Sequence, residues 1–100
     1  MKKFMVLYVS TASAREQMAK STPEQGKAAM EMWMTWMKKM GAALIDAGSP
    51  LSGTNEKIGG FSILQGESVK HIETLLKDHP HTHAPGATFE IYEFLQIPGM

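Results

Sequence analysis

From Phe4 to Val9 the chain is apolar at every position, with Phe4, Val6 and Tyr8 on one parity and Met5, Leu7 and Val9 on the other. A strand wet on one side alternates apolar with polar residues, so this run predicts a strand over 3–9 covered on both faces. Residues 10–21 are polar with scattered alanine and predict a loop with room for a short helix. A long helix is expected next, opening at Thr22-Pro23-Glu24-Gln25. Thr22 can accept from the Gln25 amide while the Gln25 side chain reaches back, and Pro23 falls at the first helical position, where its missing N–H costs nothing. The helix should run to about Met40 and close at Gly41, which is free to adopt a left-handed backbone.

Projected at 100° per residue, Met30, Met32, Trp33, Met34, Trp36, Met37 and Met40 spread over roughly 200° with Ala29 at the centre. Covering one sheet face needs a stripe only somewhat wider than about 100°. The surplus predicts a second contact, whether a partner subunit, another helix or a ligand cavity. Residues 42–47 predict a second strand ended by Gly48-Ser49-Pro50, and residues 58–65 a third, with Gly59-Gly60 marking a bulge or a close backbone approach. Ser68 caps a short helix whose Val69, Ile72, Leu75 and Leu76 share a face, and Pro80 ends it. Residues 88–97 predict a fourth strand, stopped by Pro98-Gly99.

The order βαββαβ, with right-handed crossovers, implies one α+β domain over residues 1–100 of ferredoxin-like form, its antiparallel sheet ordered four, one, three, two. In that topology the loop after strand one, the end of strand two and the connection into strand four meet at one rim. Asp46, Ser49 and His79-Pro80-His81-Thr82-His83 therefore converge although more than 30 positions separate Asp46 from His79. Two helices cover one sheet face, and the apolar residues on the other predict a homodimer, or a higher homo-oligomer, with sheets pressed together.

Charge narrows the partners. Ten basic and ten acidic residues cancel, and the basic stripe expected of a nucleic-acid binder is missing. Cysteine is absent, which removes disulfides, thiolate metal sites and cysteine nucleophiles. No apolar run reaches the roughly 18 residues of a membrane span, and the short run after Met1-Lys2-Lys3 is a poor signal segment. The expectation is a soluble cytoplasmic protein with no membrane partner.

Three groups of residues carry candidate chemistry. The first is His79, His81 and His83, spaced two apart, which in an extended segment would face one side about 6.6 Å apart. Imidazoles so placed suit a metal only with further ligands, and no second cluster completes the set, so no metal is assigned and the alternative is a hydrogen-bonded polar loop. The second is Asp46, which follows Ala42-Ala43-Leu44-Ile45; burial there would raise its pKa and make it a general acid or base, with His79 or His81 as partner. The competing role for Asp46 is to accept backbone amides of the Gly48-Ser49 turn. The third is Trp33 and Trp36, possible walls of an apolar ligand pocket that Ser49 would also reach. Met30, Met32 and Met34 resemble a copper motif, but positions two apart diverge on a helix, and packing explains them better.

The segments Phe4-Met5-Val6-Leu7-Tyr8, Leu44-Ile45-Asp46-Ala47-Gly48-Ser49-Pro50-Leu51, Gly59-Gly60-Phe61-Ser62-Ile63, His79-Pro80-His81, Phe89-Glu90-Ile91 and Pro98-Gly99-Met100 together resemble the YCII-related proteins, across nearly the whole chain. The resemblance implies a dimeric α/β barrel of ferredoxin-like type. One branch of that family resembles small lyases acting on chlorinated hydroquinones, and some members are proposed to use a His–Asp dyad with the histidine on the first helix. Here that helix reads Met30-Glu31-Met32-Trp33, the family's Asp-Gly-Pro-Phe motif is absent, and only Asp46 has a counterpart, so the loop histidines would have to substitute. The reading that results is a pocket for a small cyclic or aromatic molecule. Within it, Asp46 with His79 or His81 would perform cofactor-free proton transfer or elimination, and Trp33, Trp36 and Ser49 would contact the ligand. The alternative is a non-catalytic ligand-binding or regulatory module.

Overall fold

The computed structural model describes residues 1–99; Met100 lies outside the described residues. Its strands are β1 (Lys2–Val9), β2 (Leu44–Asp46), β3 (Ile58–Gly66) and β4 (Thr88–Glu93). Its helices are α1 (Ala14–Lys20), α2 (Pro23–Met40) and α3 (Val69–Leu75). The sheet is antiparallel with the order β2-β3-β1-β4, the ferredoxin-like arrangement. α1 occupies the polar segment where a short helix had room, and it is held at its start by the Ser13 side chain accepting from the Glu16 amide.

α2 starts and stops where its end signals lie. Thr22 and Gln25 form the reciprocal capping box, and Gly41 ends the helix with a φ of 53°. Its buried face differs from the symmetric projection. Trp36 and Met40 are buried and Trp33 and Met37 half-buried, whereas Ala29 and the rest of residues 23–32 are exposed. The first half of the helix is not packed on the sheet, and the expected apolar centre at Ala29 faces solvent. Met30 and Met34 are accordingly 60% and 61% exposed.

β1 divides its apolar residues as expected. Phe4, Val6 and Tyr8 are buried beneath the helices with Leu64, Ile72, Leu76, Trp36 and Met40, while Met5, Leu7 and Val9 are half-buried on the opposite face. Each fully buried large apolar side chain contributes about 1.5–3 kcal/mol, so this layer is the main support of the fold. The opposite face also carries Phe61 and Ile63, half-buried, and no helix among the described residues covers it.

Three boundaries differ from expectation. Residues 41–43 form a 3-10 turn, so β2 begins only at Leu44. β4 ends at Glu93, which pairs with Phe4; the Phe94 amide still reaches the Lys3 carbonyl, and the expected strand residues Leu95 and Ile97 are left exposed. Residues 80–83 wind into a 3-10 turn with Pro80 at its start rather than an extended segment. The fixed φ of proline suits the first position of such a turn, and the turn sends the three imidazoles in different directions.

Gly59-Gly60 serves both expected purposes. The β1–β3 register shifts between Tyr8 and Val9, which pair with Gly60 and Ile58 and leave Gly59 as the extra residue. A Cβ on Gly60 would lie 3.1 Å from Tyr8 Cδ2 and 3.2 Å from the Ser49 carbonyl. The missing side chain lets the Ser49-Pro50 segment, bridged to Gly60 through Pro50, pass close to the Tyr8 ring.

Candidate functional site

The rim that topology predicted does assemble, but around a residue that pattern reading passed over. Tyr8 ends the helix-facing row of β1, and its hydroxyl contacts both His79 Nε2, at 3.1 Å, and Ser62 Oγ. Ser62 is fully buried in β3 and donates to the Ala47 carbonyl at 2.7 Å. His79 is fully buried, and its Nδ1 accepts from the His81 amide at 2.9 Å.

These bonds determine where the protons sit. His79 Nδ1 accepts, so its lone pair is free of a proton. Burial and the neighbouring His81 hold the imidazole pKa at about 3, far below the usual 6.5, which keeps the ring neutral. Nε2 therefore carries the hydrogen and donates to Tyr8 Oη. Ser62 donates to the Ala47 carbonyl, so Tyr8 in turn donates to Ser62. The result is one directed chain, His79 Nε2–H to Tyr8 O–H to Ser62 O–H to the Ala47 carbonyl. Desolvation raises the Tyr8 pKa above its ordinary 10, despite an opposing contribution from Ser62, so the phenol stays protonated.

His79 owes its dry setting to aromatic rings on several sides. Trp36 lies 4.3 Å away, Trp33 4.6 Å, Tyr8 4.7 Å and Phe89 5.5 Å, centroid to centroid. Trp33 and Trp36 were expected as pocket walls, and the structure separates them. Trp33 faces a cavity. Trp36 is buried in the core, donates from Nε1 to the Leu75 carbonyl at 3.3 Å and backs the imidazole instead.

That cavity has a volume of about 280 Å³. Met30, Trp33 and Met37 of α2 close one side and Tyr8 another, with residues 47–50 and 59–61 forming the rim. Ser49 lies on this rim, as expected. The volume sits just below the roughly 300 Å³ at which drug-sized pockets begin, so the space suits a single substituted ring. A larger open hollow of about 570 Å³, lined by Val69, Leu76, Phe89 and Ile91 among others, lies between α3 and β4 and is not lined by Tyr8, Ser62 or His79.

His81 is tied elsewhere. Its Nε2 lies 2.9 Å from the Val9 carbonyl and 3.0 Å from the Thr88 carbonyl, clamping the ends of β1 and β4 where Val9 and Thr88 pair. His83 is exposed. No group of three or more His, Cys, Asp or Glu side chains among the described residues is placed to hold a metal ion.

Asp46 departs most from expectation. Its side chain was expected buried beside the histidines; it is exposed, and Oδ1 accepts from the Gly48 amide at 2.8 Å, the turn-stabilising role. The cause is a register shift in β2. Leu44 pairs with Leu64, yet Asp46 pairs with Ile63 rather than Ser62. A slip of one residue exchanges sheet faces, so Asp46 aligns with the face opposite Tyr8 and His79. No described hydrogen bond joins Asp46 to either histidine.

Tyr8 and Ser62 had a legible signal. A phenol on the same parity as Phe4 and Val6 is destined for the core, where its hydroxyl requires a partner. Ser62 interrupts the apolar parity of β3 next to it. Among the described residues no buried side-chain nitrogen or oxygen lacks a partner.

No protein-family model matches the chain, and no curated protein matches it in sequence. Among solved structures it is similar to the 5-chloro-2-hydroxyhydroquinone dehydrochlorinase of Burkholderia phenoliruptrix, determined in complex with 2,5-dihydroxybenzoquinone. The TM-score is 0.54 at 14% identity, over 93% of each chain. At that identity the likeness establishes the shared fold.

Proposed function

We propose that the chain binds a small, oxygenated cyclic or aromatic molecule in the cavity beside Tyr8, with the Tyr8 oxygen, whose own proton goes to Ser62, accepting a hydrogen bond from a ring hydroxyl. The observation that carries this reading is that Tyr8, fixed by His79 and Ser62, forms one wall of an apolar cavity sized for one ring. Trp33, Met30 and Met37 supply adaptable apolar walls, and Gly60 lets the Ser49-Pro50 rim close against the Tyr8 ring. The similar structure is named for an enzyme acting on a chlorinated hydroxyhydroquinone and holds a dihydroxyquinone, which supports ligands of this class.

Proton transfer or elimination without a cofactor would require Tyr8 to turn its O–H from Ser62 to a ring oxygen and act there as the acid. Passing that proton on leaves a phenolate that His79 Nε2–H already faces. His79 is thus the positioning residue, and His81 holds it through the backbone amide that caps Nδ1. Asp46 stands outside this scheme because it serves the Gly48 turn. Binding without turnover is the second reading, favoured by the lack of any unpartnered buried base in the described network.

Hydroquinone titrated into the isotope-labelled chain should shift the amides of Gly48, Ser49, Gly60 and Phe61. Unmoved amides at millimolar hydroquinone would refute binding here. Chloride release from a chlorinated hydroquinone separates the two readings, since binding without release leaves only the non-catalytic one.

The same reading includes a homodimer. Met5, Leu7, Phe61 and Ile63 form the uncovered sheet face, and apolar faces of this kind are association surfaces. Sedimentation at micromolar concentration should show a dimer that Leu7→Lys dissociates; a lone native subunit would refute it.

A further inference from the structure

Among the described residues, no charged side chain lines the cavity. Two backbone donors at its rim are engaged, the Gly48 amide with Asp46 Oδ1 at 2.8 Å and the Phe61 amide with the Ser49 carbonyl at 3.3 Å, so the donors left to a ligand there are neutral ones such as Ser49. Tyr8 and His79 are both held neutral by burial. His81 packs its ring 5.2 Å from the Tyr8 ring, but it does not line the cavity, and its Nε2 is engaged by the Val9 and Thr88 carbonyls. On α2, Lys27 and Glu31 flank Met30 with opposite signs, both exposed. Asp46, exposed, puts a carboxylate one hydrogen bond from the rim through the Gly48 amide.

From this lining we infer that the cavity selects the uncharged form of an oxygenated ring and rejects an anion of the same shape. Its ligands are then neutral phenols, hydroquinones and phenolic amides, and not aromatic acids or ionised hydroxyquinones. The inference rests on the binding reading above and specifies its ligand class. An anion entering here would lose its hydration without gaining a cation, whereas a neutral ring loses far less. A ligand such as 2,5-dihydroxybenzoquinone, a vinylogous acid that is ionised at neutral pH, is therefore a poor fit for this chain.

The test uses four probes at neutral pH with the full chain, followed by calorimetry and by the amide shifts of Gly48, Ser49 and Gly60. 4-Hydroxybenzamide and 4-hydroxybenzoate match in shape and differ in charge; hydroquinone and 2,5-dihydroxybenzoquinone form the second pair. The neutral member of each pair should bind at least about tenfold more tightly. Met30 is exposed and borders the cavity, so Met30→Lys places a cation at its lip and should shift the benzoate-to-benzamide affinity ratio about two- to fivefold toward the acid. Such a gain cannot arise from misfolding. Equal or tighter binding of either anion, or a Met30→Lys ratio that does not move, overturns the inference while leaving the binding reading in place. Hydroquinone that leaves the rim amides unmoved overturns the binding reading, and the inference with it.

Discussion

Tyr8→Phe isolates the buried network from the packing around it. The substitution keeps the ring, so its contacts with Trp33 at 5.5 Å and Phe89 at 5.8 Å survive and no cavity opens. It removes the one atom that receives the His79 Nε2 proton and supplies Ser62 with a donor. Two hydrogen bonds disappear, worth about 1 kcal/mol each. The Nε2–H is left without a partner among aromatic rings, where an orphaned neutral donor costs about 1–3 kcal/mol. These contributions overlap, because the orphaning penalty is part of the lost bond, and the expected total is about 2–3 kcal/mol. For a domain of this length each kcal/mol corresponds to roughly 4–8 °C in Tm, so thermal unfolding by circular dichroism should fall by roughly 10–20 °C. A second measurement separates the network from general loss of stability: Ser62→Ala should cost less in the Tyr8→Phe background than alone, with a coupling of about 0.5–3 kcal/mol. A Tm drop below about 3 °C together with additive effects would show that the hydroxyl is not a structural link, and the proton assignments built on it would fail.

Acid should destabilise the protein through His79. Its folded pKa of about 3 lies below the unfolded 6.5, so the unfolded chain binds the proton more readily between those values. The stabilisation is complete above the unfolded pKa and is lost as pH falls toward the folded one, about 2.5 kcal/mol between pH 7 and pH 4.5. Urea unfolding at several pH values should show that loss in the native chain and its removal in His79→Gln. Asp78, held low by Lys39, drifts in the same direction in both proteins, so the comparison cancels it. Asp46→Asn retains an acceptor for the Gly48 amide and should change stability by less than about 0.5 kcal/mol, whereas Asp46→Ala should cost about 0.5–1.5 kcal/mol. Hydroquinone affinity that collapses in Asp46→Asn would restore the aspartate to the site.

Local signals settled a great deal without any structure. A capping box, a proline and a glycine delimit α2 because each acts on its own few backbone groups, and no distant residue competes with them. The double parity of β1, the order of strands and helices and the antiparallel topology follow from periodicity and short connections. From these the rim could be named in advance, with Ser49 and the histidine segment on it. Three-dimensional packing alone decided which side chains meet there. The shift between Leu44 and Asp46 turned a carboxylate expected at the histidines to the other face, and no local pattern marks a bulge of that kind. The end of β4 at Glu93 and the exposed first half of α2 were likewise set by which residues found partners in the fold. The partner of His79 proved to be a strand tyrosine 71 residues away. Such a pairing is set by burial of both groups in one dry space, where each polar atom must find whatever partner the fold brings within reach.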